Sequence, residues 1–375
     1  MAQYSLTLLD CSISSLLVRA LHLSAVFLVA LPRCDGPSSP HRAARDAAPV
    51  TVATSTSPSR PVSAPAPADA AALDPATPTA RHFTTQDDLL HLVFPSAPLT
   101  PADSHAVSIA RGAIAPVPGR FNQGNPEIAR HSIDARTCLD GLHGVVLQTG
   151  EQRARCQGRD AMVPLYRGGD PAKATACVDL FEYPNRVCEL PFVWGTPAEA
   201  DNLCRAEGKR LCTQSEWTLA CAGDPLGGAD RAYAYGSELD LEICNTNRPH
   251  AFGPDGQTWL CSAQTAETAW STCATETEPS GAFPRCRSRF GVFDLHGNVA
   301  EIMTRPGPDG EVLTQLKGSA FFYVDVAREP AAPQKPGGRE TYPDHCAYDP
   351  RWHVELLPTA RHSNYHLGFR CCLGL

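Results

Sequence analysis

The spacing of apolar and polar residues predicts a helix that begins after Thr196. Thr196-Pro-Ala-Glu199 has the form of a capping box with proline at the first helical position, and Gly208 follows the last turn. Ala200, Leu203 and Cys204 then fall on one face of this helix. The pattern predicts a short amphipathic helix that packs against a core through that face.

A second helix is predicted directly afterwards. Thr213-Gln-Ser-Glu216 is another capping box, and its helix should run to Cys221 and stop before Gly223. Trp217 and Ala220 point to the same side of it. Elsewhere the apolar runs are short, with Gly or Pro every few residues, which predicts short strands joined by many turns.

The first 34 residues have the features of a leader for export. Arg19 precedes a run of twelve mostly apolar residues, Ala20 to Leu31. That length suits the core of a signal peptide and is too short to span a bilayer. Cys34 suggests the lipid-attachment site of a bacterial lipoprotein, although Arg33 stands where such sites need a small residue. Residues 1–34 are therefore predicted to be a signal peptide or a lipoprotein-type leader.

Residues 35–125 are predicted to form a disordered linker. Their first half consists mainly of Ala, Pro, Ser and Thr, as in Ser57-Pro-Ser-Arg-Pro-Val-Ser-Ala-Pro-Ala-Pro67. Such a segment has too few large apolar side chains to offset the entropy lost on ordering. The short apolar patch from Leu89 to Phe94 fits either a transient helix or a docking motif. Residues 126–375 are predicted to form one folded domain.

Charge and cysteine content narrow the function classes. The net charge is −8 and basic residues are scattered. We therefore expect no nucleic-acid partner, and membrane contact only through an N-terminal lipid anchor. Fourteen of the 16 cysteines lie between Cys138 and Cys372, and no C-x-x-C pair occurs. This favours an exported domain held by disulfides over a zinc protein, in a periplasmic, outer-membrane lipoprotein or extracellular location.

Three motifs, in order along the chain, resemble one enzyme family. They are Gly208-Lys-Arg-Leu-Cys-Thr-Gln-Ser-Glu-Trp217, Phe290-Gly-Val-Phe-Asp-Leu-His-Gly-Asn-Val-Ala-Glu301 and Leu367-Gly-Phe-Arg-Cys371. They are similar to the signatures of the formylglycine-generating enzyme (sulfatase-modifying factor) family, and the chain is identified as a divergent, cysteine-rich bacterial member. The resemblance implies an α+β fold of the C-type lectin kind, rich in loops and stapled by disulfides.

The resemblance also implies a copper site, which this chain does not match. Members that make formylglycine bind one copper ion through two cysteines spaced C-x4-C after a glycine-rich turn, because soft thiolates favour Cu(I). The matching turn here is Lys317-Gly-Ser319, followed by Ala320-Phe-Phe-Tyr-Val324. No cysteine occurs between that turn and Cys346, and Arg351 stands five residues beyond Cys346. Bound copper is therefore not expected.

Other cysteines match positions that form bridges in the family. The pairs that the resemblance implies are Cys204 with Cys371 or Cys372, and Cys221 with Cys346. Cys371 and Cys372 are adjacent, and a bond between them would close a strained ring, so each should have a different partner. Cys212, where the family usually has proline, suggests an extra bridge.

The segment Asn298-Val-Ala-Glu301 matches a family box that helps to bind calcium. The resemblance makes Asn298, Val299 and Glu301 the candidate calcium ligands, because amide, carbonyl and carboxylate oxygens suit Ca²⁺. The alternative is that Gly297 and Asn298 only form a turn.

Four histidines lie near the C-terminus: His345, His353, His362 and His366. Histidine is a common metal ligand, so a mononuclear iron or copper site is one interpretation. The sequence lacks the iron-binding histidine motif of the ergothioneine-synthesis relatives, however. We expect these to be scattered surface histidines.

Two functions from different classes remain. In the first, the chain is an exported protein whose domain lacks the copper-dependent site and acts as a binding or scaffold module for a protein or glycan ligand. In the second, it is an oxidase or protein-modifying enzyme of the same family, with a rearranged metal site that uses Cys346 and nearby histidines. The missing cysteine after Gly318 favours the first.

Overall fold

A computed structural model describes residues 80–82, 92, 121–246, 248, 270, 273–322, 345–350 and 353–375. The predicted leader of residues 1–34 lies outside these ranges, as does most of the linker. Tyr323, Val324 and Arg351, which entered the prediction about copper, also lie outside them.

The described residues contain four α-helices. They are α1 (Ala135–Gly141), α2 (Gly150–Arg155), α3 (Pro197–Ala206) and α4 (Gln214–Ala222). Thr196 and Thr213 cap α3 and α4, each in a reciprocal capping box with the glutamate three residues later. Both predicted helices are therefore confirmed, because short-range capping signals fix where they begin.

The strands of the described residues form two small sheets. The strands are β1 (Met162–Leu165), β2 (Ala176–Asp179), β3 (Arg210–Leu211), β4 (Ala300–Pro306), β5 (Val312–Lys317), β6 (Leu367–Phe369) and β7 (Cys371–Gly374). The first sheet has the order β1-β2-β7-β3 and is antiparallel throughout. The second has the order β5-β4-β6, with β4 and β6 parallel. This mixture of helices and short strands confirms the predicted α+β class.

The C-terminal motif joins the two sheets. Leu367–Phe369 pairs with β4 of the second sheet, and Cys371–Gly374 pairs with β2 and β3 of the first. Arg370 is the single residue between these strands, and its side chain is fully buried. The chain therefore crosses from one sheet to the other at a point inside the core.

The core begins ahead of residue 126. Phe121 is 1% exposed and packs edge to face against Phe192 and Phe369. Residues 121–125, which the sequence places in the linker, thus pack with the domain. Leu92 is also partly buried against the same cluster.

Candidate functional site

Side chains from all three sequence motifs meet at a buried ion pair. Glu301 of β4 accepts hydrogen bonds from Arg370 on both of its carboxylate oxygens. Trp217 of α4 donates its indole N–H to Oε2 of Glu301 at 2.8 Å. Each of the three residues is no more than 1% exposed. The three motifs are therefore bound to one another in space, and we call these three residues the motif network.

The guanidinium of Arg370 makes further hydrogen bonds to the backbone. It also donates to the backbone carbonyl oxygens of Phe293 at 2.9 Å and Asp179 at 3.1 Å. Burial alone would lower the pKa of Arg370, but the charge and hydrogen bonds of Glu301, together with the nearby acids Glu182 and Asp294, outweigh burial and raise it. The loss of either member would leave its partner in the core without the opposite group.

Asn298 organises the loop ahead of β4. Its φ of 57° is in the left-handed region, which asparagine tolerates better than most residues. Its Oδ1 accepts hydrogen bonds from the side chain of Asn245 at 3.0 Å and from the backbone N–H of Glu278 at 2.8 Å. Its Nδ2 donates to Glu182 and to the carbonyl oxygen of Glu278. The whole amide group is engaged in holding this loop.

These contacts bear on the predicted calcium ligands Asn298, Val299 and Glu301. Val299 uses its backbone N–H to donate to Glu182 at 3.0 Å. Both carboxylate oxygens of Glu301 face Arg370, and the amide oxygen of Asn298 already accepts two hydrogen bonds. The calcium site stays a prediction, and the contacts favour a structural role for the three residues.

Two buried acids beside the motif network were not predicted from the sequence. Glu182, the partner of Asn298 and Val299, is fully buried, and Asp294 accepts a hydrogen bond from the N–H of Gly281 at 2.7 Å. Burial, with the nearby negative charges, raises the pKa of Glu182 well above its ordinary value and that of Asp294 to about 7. The sequence feature that could have indicated Glu182 is its position inside an apolar run, because an acid that is buried there needs hydrogen-bond or ionic partners.

Buried aromatic rings follow the turn that precedes the copper site in the family. Ser319 is fully buried and accepts a hydrogen bond from the N–H of Gly297 at 2.9 Å. Phe321 and Phe322 are no more than 1% exposed, and their rings meet edge to face at 5.4 Å. Phe322 also meets the ring of His366 at 5.1 Å. The described positions directly after the turn therefore hold core side chains.

Cys346, the candidate catalytic cysteine, is bonded to Cys221. His296 lies beside the bridge, with Nε2 3.4 Å from Sγ of Cys221 and 3.7 Å from Sγ of Cys346. The same nitrogen accepts a hydrogen bond from the N–H of Ala234 at 2.9 Å. Within the described ranges, these two cysteines and His296 are the one preassembled group of three potential metal ligands. While the bridge is closed, neither sulfur is a thiolate.

The disulfides include pairs that the resemblance implies. The bridges among the candidate cysteines are Cys204–Cys371, Cys221–Cys346 and Cys212–Cys372. The adjacent cysteines thus have different partners, one of which is Cys212. The other described bridges are Cys138–Cys188, Cys156–Cys177 and Cys244–Cys286, and Cys273 is also disulfide-bonded. Such a set of disulfides is typical of exported proteins.

The C-terminal histidines occupy different environments. His353 and His362 are half-buried and stack with their ring centroids 3.8 Å apart. His366 is 1% exposed and lies among aromatic rings, whereas His345 is exposed and packs beside Tyr348. The expectation of scattered surface histidines is therefore wrong for His353, His362 and His366. It failed because loop paths, which sequence spacing does not show, bring these rings together.

Within the described ranges, no helix combines the length and apolar character needed to cross a membrane. Residues 180–373 match the family model described as the sulfatase-modifying factor enzyme 1-like domain. A comparison with curated proteins found no match.

Solved structures offer distant similarities. The crystal structure of CarF is 13% identical with a TM-score of 0.31, covering 57% of this chain and 94% of CarF. The P3c and U1 variants of a major tropism determinant are each 9% identical with a TM-score of 0.29. Those matches cover 57% of this chain and 52% of each variant, so the chain spans about half the length of these two proteins.

Proposed function

The chain belongs to the sulfatase-modifying factor enzyme 1-like family, and from this premise we propose that it is an exported member without the copper-dependent formylglycine-generating site. Its domain acts as a binding or scaffold module, and its ligand is a protein or a glycan. The leader features of residues 1–34 and the many disulfides support export.

One observation carries the proposal. After the turn Lys317-Gly-Ser319, the described positions Phe321 and Phe322 hold buried phenyl rings. The sequence has no cysteine between this turn and Cys346. A phenyl ring supplies no soft donor for Cu(I), whereas the family's site needs two thiolates. Cys346 itself is bonded to Cys221, so it supplies no thiolate in the oxidised protein.

The frame of the domain fits a binding role. The motif network and the bridges Cys204–Cys371 and Cys212–Cys372 fix the segment 367–374 in the core. Much of the described chain between these elements is loop. Recognition residues are commonly carried on loops that a rigid scaffold positions.

The activity test uses the purified, oxidised protein with copper, oxygen and a peptide that contains the sulfatase-type cysteine. Mass spectrometry should find the peptide cysteine unconverted. A formylglycine-generating enzyme with the C-x4-C pair serves as the positive control under the same conditions. Aldehyde formation at a rate comparable with that control would overturn the proposal.

The binding role is tested on a glycan array with native protein and with protein that has been reduced and alkylated. Selective binding by the native form alone supports a glycan ligand that is recognised by the folded loops. Identical binding by both forms would show that the folded frame has no part in recognition. Absence of glycan binding would contradict a glycan ligand and leave the protein ligand as the hypothesis to test.

The second candidate function is an oxidase with a rearranged site at Cys346. The approach of His296 Nε2 to both sulfurs of the Cys221–Cys346 bridge favours it. This site would need a thiol reductant to open the bridge before a metal ion could bind. If it is real, the reduced wild type should oxidise the peptide in the presence of copper and with oxygen as the oxidant, and Cys346→Ser should not. Equal inactivity of both removes this candidate.

A further inference from the structure

Two stacked imidazoles lie on the loop beside β5, and a carboxylate is near one of them. The rings of His353 and His362 stack at 3.8 Å with an angle of 20° between their planes. Glu355 follows His353 by two residues. Glu355 is close enough to His362 for its negative charge to act on that ring. The sequence pattern is thus His-x-Glu, with a second histidine after a short loop.

The backbone of this segment is tied to the sheet. The N–H of Thr314 donates to the carbonyl oxygen of Glu355 at 2.8 Å, and the N–H of Glu355 donates to Oγ1 of Thr314 at 2.9 Å. The hydroxyl of Thr314 also donates to the carbonyl oxygen of His353 at 2.8 Å. The backbones of two of the three residues are therefore held by a strand, as a precise ligand site requires.

One of the two imidazoles has an unsatisfied nitrogen atom. Nε2 of His362 is buried and has no hydrogen-bond partner in the structure, which is costly for a polar atom unless something else satisfies it.

Within the described part of the chain, no thiolate competes with imidazole and carboxylate groups for a metal ion. All thirteen described cysteines are disulfide-bonded, so none of them offers a thiolate in the oxidised protein. Imidazole and carboxylate groups are then the strongest ligands for first-row transition metals.

We propose that His353, Glu355 and His362 form a binding site for a divalent first-row transition metal ion. Glu355 accepts a hydrogen bond from the N–H of Arg361 at 3.3 Å, so its side chain must rotate away from that contact before the carboxylate can share an ion with the rings. The two rings are nearly parallel and must tilt for both to reach one ion at about 2.0–2.1 Å. The site shares no residue with the motif network or with the Cys221–Cys346 bridge, so it stands independently of the proposed function.

Zinc titration of the oxidised, full-length protein tests the site. Calorimetry near pH 7.5 should show saturable binding of one ion per chain, and zinc should raise the melting temperature. His353→Asn removes the imidazole and keeps a residue that tolerates the φ of 57° found there. His353→Asn and His362→Gln should each weaken zinc binding by at least about tenfold. Glu355→Gln should weaken it less.

His143→Ala is the matched control, because His143 is an exposed histidine just after α1 and outside this cluster. It should bind zinc like the wild type. Absence of saturable binding in the wild type would overturn the proposal, as would unchanged affinity in His353→Asn and His362→Gln. If a variant folds poorly, the absorption spectrum of the Co²⁺-loaded wild type decides. Intense visible bands of a low-coordinate site support the proposal, and the weak spectrum of hydrated Co²⁺ contradicts it.

Discussion

The motif network and the segment after the Lys317-Gly-Ser319 turn belong to the same family pattern, yet they have diverged to different extents. In the network, Trp217, Glu301 and Arg370 are all present and all bonded to one another. After the turn, the cysteine pair of the family is missing, and Phe321 and Phe322 fill the core.

The physical difference lies in how each region tolerates change. The loss of one member of a buried ion pair leaves an unpaired charge, which costs about 3–5 kcal/mol. A metal-binding cysteine pair can be replaced by apolar side chains that gain burial, so the fold survives while the chemistry is lost. Under the proposed function, the family signatures in this chain report the frame and not the activity.

The largest expected effect comes from breaking the motif network. Arg370→Met should lower the free energy of unfolding by about 3–5 kcal/mol, because Glu301 would remain buried without a cation. Chemical denaturation measures this. The control is Arg153→Met, which removes an exposed pair with Asp160 and should cost no more than about 1 kcal/mol.

A double variant sharpens the interpretation. If the cost arises from the orphaned carboxylate, then Arg370→Met combined with Glu301→Leu should recover part of the lost stability. A double variant that is less stable than Arg370→Met alone would show that the pair itself, together with the indole hydrogen bond from Trp217, supplies the stability.

The second expected effect tests whether the segment after the Lys317-Gly-Ser319 turn contributes to the core. Phe322→Ala should lower the free energy of unfolding by about 3 kcal/mol or more, because it leaves a cavity beside Phe321 and His366. Val312→Ala, at an apolar side chain of β5 that is 47% exposed, should change it by less than about 0.5 kcal/mol. Similar small losses of stability at both positions would mean that the packing of Phe322 contributes little to the free energy of unfolding.

The third effect is on the pH dependence of the free energy of unfolding. The buried acid Asp294 and the stacked histidines His353 and His362, which we call the histidine loop, should change it with opposite sign. The folded-state pKa of His353 is about 3 against an ordinary 6.5, so its contribution to stability is present above about pH 6.5 and is lost as the pH falls towards 3. Asp294, with a pKa raised to about 7, contributes stability below its ordinary pKa that is lost as the pH rises through 7.

Comparison of the wild type with His353→Asn isolates the histidine. The wild type should lose roughly 2 kcal/mol more than the variant between pH 7.5 and pH 5. Urea denaturation at a series of pH values gives this difference. Parallel curves for the two proteins would show that His353 is not buried as a neutral ring.

Calcium gives the smallest expected effect. An ion that binds only the folded state would raise the melting temperature by linkage. Because the oxygens of Asn298 and Glu301 are already hydrogen-bonded, we expect wild-type melts in millimolar calcium and in EDTA to coincide. A calcium-dependent rise that Glu301→Ala abolishes would restore the predicted site.

Local signals in the sequence located the helices well. The capping boxes at Thr196 and Thr213 predicted where α3 and α4 begin, because a cap is made by residues three positions apart. The short strands and the α+β class followed from the turn-rich pattern together with the family resemblance.

Long-range contacts could not be read in the same way. Glu182 binds Asn298, more than a hundred positions away, and nothing local marks that contact. The stacking of His353 on His362 depends on the path of the loop between them. His296 lies inside a recognised motif, but only the fold brings it next to Cys221 and Cys346.

The central claim, that this member keeps the frame and lacks the copper site, is tested most directly by Cu(I) retention. Oxidised protein is loaded with Cu(I) without oxygen and then challenged with a high-affinity Cu(I) chelator, with His353→Asn alongside to exclude copper held by the histidine loop. The account predicts that both proteins lose their copper, because every cysteine in the described part of the chain is disulfide-bonded and offers no thiolate. One chelator-resistant copper ion per chain in both proteins would contradict it.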